Sequence, residues 1–458
     1  MMTRKTVFAL AIVTILITGT MLYAGPLNPP AGPIASTAKT LNEVEPRIAI
    51  NSINTPGDAD SVFRISQPGS YYLTGNVTGV AGKHGIAIAS ADVSIDLQGF
   101  TLIGGPGTRD GISTVVPGLI TNITISNGTV SSWGFSGVNL VNFAPSHCKI
   151  HNLVAKGNAS HGFILPGLSN IFECRAFGNS IGIQCGSGCN LIGSSASDNT
   201  STGILVNDHC TLTRCIADDN LHDGISAGPH CVLEFCITAH NGYFGISTGD
   251  NSTAIACSSS NNSAGGILAG SGAALRDCES QRNGLVGIDA RVGASLEHCT
   301  VLSNFGTGIV AHDSNALADC TVSLNDGTGI AALKECTIDS CNVIDNLYDG
   351  IFLRLRCAAR NNHCYGNGRG TGDGSGIHAT EGGNRIEGNS CARSDRGIDV
   401  DAPLNFVARN ICEGNSTNWT VVAGNFCLVI QAAAGGAING NTGGVPVGTS
   451  DPNANFTY

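Results

Sequence analysis

Charge and aromaticity are both scarce in this 458-residue chain: 12% of residues are Asp, Glu, Lys or Arg, and 5% are Phe, Trp or Tyr. So few large rings exclude a core built around bulky aromatics. There is no basic run, and the formal net charge is -11. The electrostatic footprint of a nucleic-acid-binding protein is therefore missing, and the mild acidity reads as a solubility feature. No apolar stretch after the N-terminal one approaches the ~20 residues needed to cross a bilayer, so the mature chain is not expected to span a membrane. No Cys-x-x-Cys pair is matched by a second, which removes the common zinc frameworks.

What is abundant is glycine, at 62 residues, and cysteine, at 19. Glycine with few charges and rings points to many short strands joined by tight turns. The start of the chain reads as an export signal over residues 1–24. Arg4 and Lys5 precede the apolar run Val7 to Ile17, and Leu22-Tyr23-Ala24 offers a cleavage end. The protein is therefore expected to be secreted, periplasmic or held at the cell surface. Residues 25–60, with Pro26, Pro29, Pro30 and Pro33, form a Pro-rich N-terminal segment. Residues 61–84 are expected to cap a repeat body at 85–425, and 426–458 to form a C-terminal cap and a poorly ordered tail.

The repeat is a Gly followed by Ile, Val or Phe at 85, 111, 137, 162, 182, 203, 224, 245, 266, 287, 308, 329, 350, 376 and 397. From Gly182 the step is 21 residues, with one step of 26 that contains the insert 368–375. An Asn column keeps the same phase at 158, 179, 199, 220, 241, 262, 283, 304, 325, 346 and 367. Asn tolerates a left-handed corner, and stacked amides bond from coil to coil; these residues are structural. Counting from the Gly, alternation turns positions +1 and +3 inward (Ile288, Ala290), then +7 and +9 (Cys210, Leu212), then +12 and +14 (Cys299, Val301). Three short strands per coil, about fifteen coils and about 4.8 Å per coil predict an all-β, single-stranded parallel β-helix roughly 70 Å long.

The cysteines fall into the same columns. Cys174, Cys215, Cys236, Cys257, Cys278, Cys299, Cys320 and Cys341 form one, and Cys148, Cys189, Cys210, Cys231, Cys336 and Cys357 another. Stacked about 4.8 Å apart with parallel Cβ vectors, they suit buried small apolar groups better than disulfides.

Chemistry can sit on the outward positions +2 and +4 of the first strand. These are bland in early coils (Ser226, Gly228, Ser247, Gly249). Later they carry Asp289, Arg291, His312, Phe352, Arg354, His378, Asp399 and Asp401. His378, Asp399 and Asp401 are the candidate catalytic acid–base groups, with His378 expected within hydrogen-bond reach of Asp399. Asp289, Arg291, His312, Phe352 and Arg354 are candidate substrate contacts, the arginines gripping carboxylates and Phe352 stacking on a sugar ring. The loop 368–375 is expected to wall the groove. The remaining histidines read as turn or surface residues without a shared register. No cofactor is expected; the acidic turns at Asp218, Asp219 and Asp223 are a weak alternative for Ca²⁺, since their spacing matches no known loop.

The Asn-x-x-x-Gly-Ile coil with its Leu and Cys/Val columns resembles the right-handed parallel β-helix repeat, or pectin-lyase-like, superfamily. The segments 25–30 and 44–51 also resemble uncharacterised exported β-helix proteins of planctomycete-type bacteria. The resemblance implies right-handed coiling; it is the outward carboxylates, His, Arg and Phe352 that suit an extended acidic polysaccharide or cell-surface polymer as partner. The paired-Asp, Gly-His-Gly and Arg-x-Lys motifs of polygalacturonases are absent, as is the Asp-Pro-His motif of alginate epimerases, so no catalytic residue transfers. The sequence thus leaves three readings open: a glycan- or surface-polymer-binding protein, a lyase or hydrolase of an acidic polysaccharide acting at 289–401, or a structural cell-surface element.

Overall fold

The computed structural model describes residues 46–116, 121–141, 147–369, 374–431, 438–440 and 451–457. The expected export signal and most of the Pro-rich segment lie outside them. All described residues except Pro46 belong to one compact unit, Arg47–Tyr458. Among the described residues there is no helix; the unit is a parallel β-solenoid of about 17 turns of ~21 residues, slightly more than the fifteen expected.

Each regular coil contributes three strands, as in Ile204–Val206, Thr211–Thr213 and Ile216–Asp218. The first strands of successive coils stack into a face of eighteen. The second and third faces count as one sheet of 34 strands, because Ile123–Ser131 and Lys149–Lys156 run through both. The ladder is parallel and in register, with Ile204 opposite Ile225 and Ile225 opposite Ile246. The inward columns lie where alternation put them: Ile288, Ala290, Leu212, Cys299 and Val301 are all at most 1% exposed.

Three sharp corners separate the strands, and each uses the same device. A residue in the left-handed region turns the chain, and the next residue is buried. In one coil His209 (φ 58°), Arg214 (φ 54°) and Asp219 (φ 53°) precede Cys210, Cys215 and Asn220. The column asparagines therefore do not take the left-handed conformation themselves, as the sequence suggested; the residue before each one does. A left-handed non-glycine residue costs roughly 1–2 kcal/mol. The buried follower offsets this by accepting the main-chain N–H of the preceding coil's corner.

The Asn column shows how. Asn241 Oδ1 accepts both the N–H (3.1 Å) and the Nδ2–H (3.0 Å) of Asn220, and Asn220 Nδ2 also donates to Ala196 O at 3.1 Å. The pattern repeats without a break from Asn158 to Asn367. The ladder also explains the glycines. A Cβ on Gly224 would lie 2.6 Å from Asn241 Nδ2 and 2.7 Å from Gly245 O.

Cysteine performs the same task at the corner after the first strand. Cys189 N–H bonds to Cys210 Sγ at 3.3 Å, and Cys210 N–H to Cys231 Sγ at 3.3 Å. Ser252 Oγ or Asn315 Oδ1 replaces the sulfur in later coils. All 19 cysteines are free thiols, and all but Cys427 are buried. Burial pushes the Cys174 thiol up to about 12.

Both ends differ from expectation. Ser61–Ile65 pairs in register with His84–Ile88, and Ile48–Ile50 with Gly69–Leu73, so residues 61–84 form a coil of the stack rather than a cover over it. In the tail, Asn455–Thr457 returns to pair with Ile411 and Cys412, so this part is ordered.

Candidate functional site

The site is built on the first face, where Ile351–Leu355, Ser375–Ala379, Arg396–Val400 and Thr417–Val421 stack in order. Register places Phe352, His378, Asp399 and Thr420 in one outward column. The Phe352 and His378 rings meet edge to face, with centroids 5.7 Å apart.

His378 is held at both nitrogens. Nδ1 lies 3.1 Å from Asp349 Oδ2, and Nε2 lies 3.0 Å from Asp401 Oδ2. Asp349 is in turn fixed by the Ser375 N–H, 2.8 Å from its Oδ1. Burial acts to lower the His378 pKa. The hydrogen bond and charge of Asp349, then Asp401 and Asp399, outweigh it and hold the group up at about 9. At neutral pH the ring is therefore a cation donating to two carboxylates. It can give up a proton readily only in alkali, which fits a general acid better than a general base.

Asp399 departs from expectation. It points outward yet is 1% exposed, sits 4.0 Å from His378 Nε2, and makes its short contact with Arg396 Nη1 at 2.5 Å. Its Oδ1 is buried and has no hydrogen-bond partner. Burial pushes its carboxyl upward against the pull of Arg396 and His378. Of the three expected acid–base groups, only His378 and Asp401 reach solvent, with side chains 19% and 53% exposed.

The other expected contacts fall into pairs. Asp289 binds His312 Nε2 at 3.0 Å and lies 3.6 Å from Arg291. Arg354 is bonded to Glu381 at 2.8 Å. Neither arginine presents an uncommitted guanidinium, because each has found a carboxylate of its own chain. Of the expected groove wall, residues 370–373 lie outside the described residues.

Sequence reasoning missed Asp349 and Arg396. Each sits one residue before a column Gly: Asp349 ends a corner before Gly350, and Arg396 opens the strand Arg396–Val400 before Gly397. Asp110 and Asp223 hold the place of Asp349 and do the same work, accepting from Ser136 N at 2.9 Å and Phe244 N at 3.0 Å. The recurring Asp-Gly-Ile was the available signal for Asp349; Arg396 departs from it and carried none. Also missed was an open cavity of about 510 Å³ on the other faces, lined by Arg360, Arg385, Glu387 and Arg409.

The histidines outside the site are more ordered than expected. His147, His209 and His230 occupy the same left-handed corner, and His209 and His230 stack with centroids 5.0 Å apart. His84 is not a surface residue; it is 9% exposed and lies 3.5 Å from Asp110 Oδ2. Asp223 is likewise committed to a corner, while Asp218 bonds His240 at 3.0 Å, with Asp219 adjacent.

No curated protein matches the chain. Among solved structures, the mannuronan C-5 epimerase AlgE4 A-module of Azotobacter vinelandii is 12% identical, covering 74% of this chain and 90% of that one at a TM-score of 0.32. The periplasmic alginate epimerase AlgG is 11% identical over 66% and 77%, TM-score 0.32, and pectate lyase Pel9A 11% over 66% and 71%, TM-score 0.30. Likeness at this level carries no information on chemistry. Residues 203–337 match the family model described as "Right handed beta helix region". The coil matched there continues in register on both sides, so the right-handed parallel β-helix fold extends beyond the matched residues.

Proposed function

We propose that the chain is an exported protein that binds an extended glycan or similar surface polymer along the first face of its solenoid, over residues 289–401. The observation that carries this reading is the change in character of that face. Coils with Ser226, Gly228, Ser247 and Gly249 outward give way to coils bearing the Asp289–His312 pair and then, beyond a coil with Ala331 and Leu333 outward, Phe352, His378 and Asp401. The strands stack parallel and in register along the solenoid, which suits a linear polymer more than a compact ligand. Phe352 offers a ring to stack on a sugar, and the exposed Asp401 carboxylate offers an acceptor to hydroxyls.

A second reading, catalysis on an acidic polysaccharide, is favoured by the His378–Asp401 pair, a proton donor beside an exposed carboxylate. Retention of the protein in gels containing pectin, alginate or neutral glucans tests binding. Phe352→Ala is expected to lower retention at least several-fold without changing the circular dichroism spectrum. Unsaturated products absorbing in the ultraviolet, or new reducing ends, would mark a lyase or a hydrolase. Failure to be retained by any polymer, with no product, would leave the structural role.

A further inference from the structure

We propose that His378, Asp399 and Asp401 form a binding site for a first-row divalent cation of the Zn²⁺ kind. Each offers one ligand atom, and these atoms all lie within 4.8 Å of one another. His378 Nε2 is 3.0 Å from Asp401 Oδ2 and 4.0 Å from Asp399 Oδ2. Those separations bracket the roughly 3.3 Å between two ligands bound tetrahedrally at about 2.1 Å.

Two further observations point to an ion. Asp399 has a 1% exposed side chain, and its Oδ1 is buried with no partner. A stranded carboxylate oxygen is costly in a protein interior, and native structures seldom leave one unless something completes it. The other side of His378 is also prepared. Asp349 accepts from Nδ1 at 3.1 Å and is itself fixed by the Ser375 N–H at 2.8 Å. A carboxylate behind the imidazole fixes the tautomer that leaves Nε2 free for a metal, as in most protein metal–histidine sites.

Charge and donor type choose the ion. With a neutral imidazole, Asp349, Asp399 and Asp401 against Arg396 leave two negative charges, which a divalent cation balances. One nitrogen and two carboxylates suit a first-row ion, whereas Ca²⁺ requires six to eight oxygens. The exposed side at Asp401 leaves a coordination position open to water. The cluster Asp218–Asp219–His240 lacks these features: it is largely exposed and encloses no stranded buried atom. The proposal is independent of glycan binding.

The test uses the full chain stripped with a chelator, titrated calorimetrically with Zn²⁺ and spectroscopically with Co²⁺. One ion per chain is expected, with visible Co²⁺ bands of nitrogen–oxygen coordination. His378→Ala and Asp401→Asn should each weaken binding at least ~10-fold, and Asp349→Asn by about 10–100-fold. Asp218→Asn should change nothing. Asp401 is exposed, so its variant keeps the test valid if His378→Ala fails to fold. No stoichiometric uptake, uptake unchanged by Asp401→Asn, equal affinity for Ca²⁺, or a sulfur-to-cobalt charge-transfer band would each overturn the proposal.

Discussion

Replacing Asn283 with alanine removes one rung from the middle of the amide ladder, and the consequence can be worked bond by bond. Asn283 is fully buried. Its Oδ1 accepts the N–H (3.0 Å) and the Nδ2–H (2.9 Å) of Asn262. Its Nδ2 donates to Asn304 Oδ1 (2.9 Å), Ser280 Oγ (3.1 Å) and Ser259 O (3.2 Å). In Asn283→Ala the main-chain N–H of Asn262 is stranded outright, and water cannot reach it. Asn262 Nδ2 keeps a bond to Ser259 Oγ, and Ser280 Oγ keeps its donation to Gly287 O. One stranded buried donor costs about 1–3 kcal/mol and each remaining lost bond about 1 kcal/mol or less, so about 3–5 kcal/mol is expected. Asn425→Ala is the matched comparison. That residue is half-buried, accepts one bond, from the Asn405 N–H at 2.8 Å, and donates one, to Val422 O at 2.9 Å, so water can substitute at both and about 1 kcal/mol is expected. Guanidinium unfolding followed by circular dichroism, with m-values compared to verify like transitions, measures both. Equal costs for the two variants, or a cost under about 1 kcal/mol for Asn283→Ala, would refute the view that the ladder holds the coils together.

Other expectations follow from the same geometry. In chelator-treated protein, His378 titrates near 9 when folded and near 6.5 when unfolded. Its stabilisation, at most about 3 kcal/mol, is fully present below pH 6.5 and lost as pH rises through 9. Unfolding free energy measured across that window should fall in the wild type and stay flatter in His378→Gln; parallel curves would remove His378 as the titrating group. A thiol reagent should label almost no cysteine in the native protein and all 19 after denaturation without reductant; a shortfall after denaturation would reveal disulfides. Gly224→Ala should cost more than about 2 kcal/mol by thermal or denaturant unfolding, since its methyl would lie 2.6 Å from Asn241 Nδ2. A neutral result would mean that the ladder yields there.

The repeat made much of this legible in the sequence. When a chain returns to the same place every 21 residues, like side chains must align, and the Gly, Asn, Ile and Cys columns are visible as spacing alone. The columns also located Phe352, His378 and Asp401 on one face. What spacing could not give was which neighbour each side chain chooses. His378 bonds Asp349, 29 residues earlier, because a corner residue leans along the stack toward the following coil. Asp399 holds an outward position, yet Arg396, three residues before it, folds over it. The Arg360–Arg385–Arg409 cavity escaped because it lies on other faces and its members do not share one column.

The amide ladder has a polarity, since each coil is completed by an acceptor from the coil that follows it. A stack built this way cannot finish itself; its final coil is always owed one. A second, shorter amide ladder, Asn362–Asn389–Asn410, follows Cys341 at another corner, and there the debt on Asn410 is met from 45 residues downstream, where Asn455 Oδ1 accepts its N–H at 3.0 Å and its Nδ2–H at 2.9 Å. Asn455 Nδ2 then donates back to Val407 O at 2.9 Å. The chain's last described strand is thus a closing clasp. Shortening the protein before Asn455 would expose a raw growing edge, able to recruit the N-terminal coil of another molecule and turn a finite particle into a fibre.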